Sequence, residues 1–122
     1  MNQPAFILFG HGARDSQWAD PLRRIQAAIL ERDPGRVVEL AFLEFLEPGL
    51  EACVDKMVAA GIREIQVVPM FMAQSGHLKR DLPLQVAAVQ QRHPEIKLQV
   101  TGAVGEAPQV IAAMAGYVLS LN

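Results

Sequence analysis

Four short apolar runs alternate along this chain with longer segments in which apolar side chains recur every three or four residues. Ala5–Phe9, Val37–Phe42, Glu64–Pro69 and Ile96–Thr101 read as strands, and the segments between them read as helices. A helix that joins two parallel strands of one sheet crosses over right-handed. The order βαβαβαβα therefore predicts an α/β fold, a four-stranded parallel sheet with helices on both faces. At 122 residues the chain is long enough for one core and too short for two, so residues 1–122 are expected to form a single domain.

Local signals bound the helices. Trp18, Leu22, Ile25 and Ile29 line one face of the first, which Asp15 or Ser16 can cap and Asp33-Pro34-Gly35 stops. Pro48 suits the first turn of the second, whose apolar face carries Leu50, Val54, Met57 and Val58 before Gly61 ends it. A polar stretch around His77 leads into a third helix of about Leu82–Arg92, closed by His93-Pro94. Pro108 to Leu121 reads as a final amphipathic helix with Val110, Ile111, Met114, Val118 and Leu119 on its apolar side. Four strands leave two open edges and limited cover, which favours a homodimer.

Two of the apolar runs end in a glycine-flanked histidine, Gly10-His11-Gly12 and Gly76-His77. If those strands are neighbours, both imidazoles emerge at the carboxyl edge of the sheet, where ligands of open α/β folds bind. Neutral imidazole ligates divalent first-row metals and also accepts protons near neutral pH. A solvated histidine in a strand-end turn is the plainer reading of Gly-His-Gly alone, and the second Gly-His weighs against it. Glu44 and Glu47 follow the second strand and could bring carboxylates to the same edge. Glu47 could equally favour the N-terminus of the helix that starts near Pro48. Arg14, Lys79 and Arg80 stand within a few residues of the histidines and would attract an acidic small molecule, unless they are solvated loop charges. His93, before a proline at a helix end, is left out of the site, and Trp18 reads as a packing residue.

Composition narrows the partners. With 11 basic and 13 acidic side chains the net charge is −2, which gives no footprint for nucleic acid or an anionic membrane. No apolar stretch approaches the roughly 20 residues needed to span a bilayer. A lone cysteine, Cys53, cannot form an internal disulfide, and the start lacks the pattern of a signal peptide. A cytoplasmic protein is the expectation.

The segments Gly10-His11-Gly12-Ala13-Arg14, Ala41 to Pro48 and Val68 to Pro83 together resemble the small CbiX-type sirohydrochlorin chelatases over nearly the whole length. The third segment, with its proline, aromatic and Gly-His before Asp81-Leu82-Pro83, is the most specific. The resemblance implies half of a two-lobed class II chelatase, a homodimer that inserts a divalent metal into sirohydrochlorin without ATP. It implies cobalt and cobalamin synthesis first, with iron or nickel as alternatives, and no resident cofactor, the metal being substrate. It makes His11 a metal ligand and proton acceptor, His77 a metal ligand, and Glu47 and Glu44 acidic or substrate-contacting groups. Met72, Ala73, Gln74, Ser75, Gly76 and His77 would line the tetrapyrrole, and Arg14, Lys79 and Arg80 would meet its eight carboxylates. Ala13 stands where the family often has serine. A non-catalytic metal or tetrapyrrole carrier would use the same histidines. A phosphohistidine enzyme would need an arginine where Phe9-Gly10 stands.

Overall fold

The computed structural model describes residues 3–73 and 76–122, with His77 described in its backbone only. Four parallel strands, β1 (Ala5–Gly10), β2 (Val38–Phe42), β3 (Glu64–Pro69) and β4 (Lys97–Val100), form one sheet in the order β2-β1-β3-β4. The expected α/β architecture is therefore present. β1 is central, with Gly10 opposite Phe42 on one side and Phe9 opposite Pro69 on the other. The carboxyl ends of three strands are thereby brought level.

Side-chain alternation along the strands divides the core into two layers. Ala5, Ile7 and Phe9 of β1 and Ile65 and Val67 of β3 pack with Leu50, Val54 and Met57 of α2 (Leu50–Ala59) and Leu82, Val86 and Val89 of α3 (Gly76–Arg92). On the other face Ala19 and Leu22, at the start of α1 (Asp20–Arg32), meet Phe42, Leu40 and Met70. That second layer covers β2 and β1. The side chains of β3 and β4 on the same face are half-buried at Gln66 and Val68 and exposed at Lys97 and Gln99.

Three elements depart from the reading of the sequence. Trp18 lies in a short 3₁₀ turn, Ser16–Ala19, capped by the Asp15 carboxylate on the Gln17 N–H at 2.9 Å, and α1 starts only at Asp20 with Pro21 in its first turn. Its expected apolar face is only partly used, with Leu22 buried and Ile25 at 38% exposure. α3 begins at Gly76, not near Leu82, and runs through Pro83. A proline inside a helix removes one N–H and crowds the preceding turn, which is why the sequence reads as a later start. The consequence is that Lys79 and Arg80 are exposed residues near the start of a helix, not loop charges.

The third departure is α4 (Pro108–Leu119), which buries none of its residues. Ile111, Tyr117, Val118 and Leu119 are 51–78% exposed, although the helix carries no charged side chain. Periodicity shows that a helix has an apolar face but not which surface covers it.

Candidate functional site at the carboxyl edge of the sheet

The connections leaving β1 and β2 are laced together by their backbones. Leu43 N–H donates to the Gly10 carbonyl at 2.9 Å, and Glu44 N–H donates to the His11 carbonyl at 3.1 Å. These bonds extend the β1–β2 ladder beyond the sheet. They set Glu44 against His11, whose Nε2 lies 3.1 Å from Glu44 Oε1, each side chain about half exposed. Gly12 permits this approach. Its φ is +95°, and a Cβ there would sit 1.8 Å from the Glu44 carbonyl oxygen. No other residue type fits. Gly10 is similarly confined by Leu22 and by the Trp18 ring, although Trp18 itself is 39% exposed.

The loop after β3 joins the same edge. Met70 N–H donates to the Phe9 carbonyl at 2.8 Å, and Phe71 packs edge-on against Phe9 with ring centroids 6.3 Å apart. From the other side Gly105 N–H donates to the Phe71 carbonyl, and a Cβ at Gly105 would meet Met72 backbone at 2.4 Å. Met72 is held there with 69% of its surface exposed. Ala73 is exposed beside it, and Gly76 opens α3. Gln74 and Ser75 lie outside the described residues, as does the His77 side chain, whose backbone forms the second residue of α3.

Glu47 lies exposed in the β2 connection ahead of a cis Glu47–Pro48 bond. The second helix starts two residues later than near Pro48, so Glu47 stands ahead of it rather than in its first turn. α2 begins at Leu50 with Gly49 at its N-cap, and Glu51 is the acid of its first turn. Arg14 is exposed, with its guanidinium 5.4 Å from the centroid of the Phe45 ring. Phe45 was not singled out in the sequence. It has a left-handed backbone, φ +69°, which neither glycine nor asparagine announced.

Chemically, the edge offers an imidazole and a carboxylate in contact with it, with a second exposed carboxylate, Glu47, in the same connection as Glu44. A carboxylate in contact with one ring nitrogen is the kind of partner that orients metal-binding histidines. Among the described residues no group of three His, Cys, Asp or Glu side chains gathers for a metal. His11 and Glu44 thus form a two-group set, open on its other sides.

Several polar pairs away from this edge join one element to another. His93 is bound through Nε2 to Asp55 at 2.6 Å, and Arg92 pairs with Glu51 and Asp55, tying α3 to α2. A cleft of about 660 Å³ opens at the opposite, amino end of the strands. Its Arg36 is engaged by Asp33 at 3.1 Å and by the Pro4 carbonyl at 2.8 Å. Burial, then the nearby Glu39 charge, pushes the Cys53 thiol up to about 11.

Parallel strands, a central β1 at the switch in strand order and an imidazole–carboxylate pair at the carboxyl edge define a small open α/β protein with its chemistry on the strand ends. The CbiX family model matches residues 5–119, and the chain belongs to the CbiX family. It is 34% identical over 79 residues to the sirohydrochlorin cobaltochelatase of Methanococcus aeolicus, covering 65% of this chain and 55% of that one. With the cobaltochelatase of Sulfurisphaera tokodaii the identity is 31%, over 81% of this chain and 78% of the other. With the sirohydrochlorin ferrochelatase of Bacillus subtilis it is 29%, over 90% and 42%. The chain thus spans little more than half the length of the Methanococcus relative. Among solved structures, a CbiX protein from Marinobacter aquaeolei VT8 superposes with a TM-score of 0.83 at 24% identity, covering 98% of this chain and 94% of that one. SirB from Bacillus subtilis subspecies spizizenii, in complex with cobalt, superposes with a TM-score of 0.79 at 25% identity, over 98% of this chain and 51% of SirB.

Proposed function

We propose that this protein inserts a divalent metal, cobalt in the first instance, into sirohydrochlorin without ATP, as a step of cobalamin synthesis. The observation that carries this reading is the His11–Glu44 pair, set at 3.1 Å on the open edge of a CbiX-family fold. Insertion must strip water from the metal and remove two pyrrole N–H protons, so ligand and base must stand on the same open face. His11 supplies the ligand and then the proton acceptor, and Glu44 stabilises the imidazolium that results. His77 is the second metal ligand. Glu47 takes protons or contacts substrate from the same connection as Glu44, while Met72 to Gly76 line the macrocycle. Arg14, Lys79 and Arg80 meet its carboxylates.

Relatives are named for cobalt and for iron, so the metal itself is decided by assay. Absorbance of sirohydrochlorin would be followed anaerobically with cobalt(II), iron(II) or nickel(II), catalytic enzyme and no ATP, for wild type, His11→Ala and His77→Ala. Multiple turnovers that collapse in both variants support the assignment. Stoichiometric binding alone, or a rate equal to background, replaces it with a carrier.

The working form is a homodimer. An uncharged helix with no buried residue and a half-covered sheet face are surfaces that a second copy would bury. The chain's match to about half of SirB is in keeping with two such units per functional molecule.

A further inference from the structure

Leu46 N–H donates to the Glu44 carbonyl at 2.8 Å, closing a γ-turn about Phe45, whose φ is +69°. A γ-turn of this hand is rare and strained, and an aromatic residue is a poor choice for it. The turn is nevertheless used to lift a phenyl ring out of the protein. Phe45 is 57% exposed, whereas Phe6, Phe9, Phe42 and Phe71 are buried or half-buried. The ring stands next to Glu44 in the chain, and Arg14, three residues beyond His11, lies against it. Strained backbone and an exposed aromatic at the same residue mark a position held for binding rather than for packing.

Resting on the function proposed above, we infer that Phe45 is the stacking platform for the substrate, a flat conjugated macrocycle bearing peripheral carboxylates. The phenyl ring lies against the macrocycle's π-face and fixes its height over His11 and Glu44. Arg14, braced on the ring, meets a carboxylate at the periphery. The pair reads two properties of one ligand, an aromatic plane and an anionic rim. Phe45 touches substrate without entering the proton or metal transfer.

The test is anaerobic titration of metal-free sirohydrochlorin into wild type, Phe45→Tyr, Phe45→Leu and Phe45→Gly, with thermal midpoints and steady-state turnover alongside. The expected result is wild-type affinity in Phe45→Tyr and a loss of about fivefold to tenfold in Phe45→Leu and Phe45→Gly, the size of an aromatic pair interaction. The loss should appear in KM with kcat within about twofold, as befits binding made equally in ground and transition states. Because glycine adopts positive φ freely, Phe45→Gly should keep or raise the thermal midpoint while it weakens binding. Unchanged affinity in Phe45→Leu and Phe45→Gly overturns the platform while leaving the chelatase reading intact. Wild type that neither binds nor metallates sirohydrochlorin overturns both.

Discussion

His11 Nε2 meets Glu44 Oε1 at 3.1 Å although the two residues belong to different strand-to-helix connections. The backbone bonds from Leu43 to Gly10 and from Glu44 to His11 bring the side chains together, so their contact is a product of the sheet's own geometry. An exposed pair of this kind is worth well under about 1 kcal/mol to stability. Under the proposed function its value is chemical.

Accordingly, His11→Ala and Glu44→Gln should leave the thermal midpoint nearly unchanged. Turnover should fall about a hundredfold or more in His11→Ala, the usual contribution of a positioned base, and by less in Glu44→Gln. Steady-state rates and melting curves on the same preparations check both.

Gly12→Ala should do the reverse. A methyl group placed 1.8 Å from the Glu44 carbonyl at φ +95° must push the two connections apart. A loss of about 2–4 kcal/mol in stability is expected, with activity lost even where the protein remains folded. Chemical denaturation reports the first effect and turnover at low temperature the second.

If the chain pairs as proposed, charge on the bare face of α4 should keep it monomeric. Wild type is expected at twice the 13.3 kDa of one chain by light scattering, and Val118→Glu or Tyr117→Asp at one. A wild-type monomer at micromolar concentration would refute the arrangement.

Cys53 should resist thiol reagents at pH 8 in the native protein and react in denaturant. Its folded value of about 11 stands above the ordinary 9.0, so the folded state holds the proton more tightly than the unfolded chain. That contribution to stability is fully present below pH 9 and is lost as pH rises toward 11. Wild type should lose more stability over that window than Cys53→Ala, as denaturation at pH 8 and pH 10.5 would show.

The strands were readable because each is apolar on a short period and bounded by turn-forming residues, and the Gly10-His11-Gly12 turn because two glycines flank a polar side chain. The pairing of His11 with Glu44 was legible only as a shared edge, since their contact depends on the β1–β2 register. The start of α3 was hidden by Pro83, which the helix absorbs because packing of Leu82, Val86 and Val89 outweighs one missing hydrogen bond. Phe45 was invisible for a different reason. A left-handed turn normally advertises itself with glycine or asparagine, and here a bulky ring is carried against its propensity. The fate of α4 could not be read either, because an apolar face does not name its partner.

Gly12 separates architecture from reactivity. What fastens the two connections is main chain and the lack of a single methyl group, while the side chains at 11 and 44 project from that scaffold without bearing its weight. Donor groups at the mouth can therefore be exchanged over generations at little cost to folding. The frame would stay while the groups at its mouth changed.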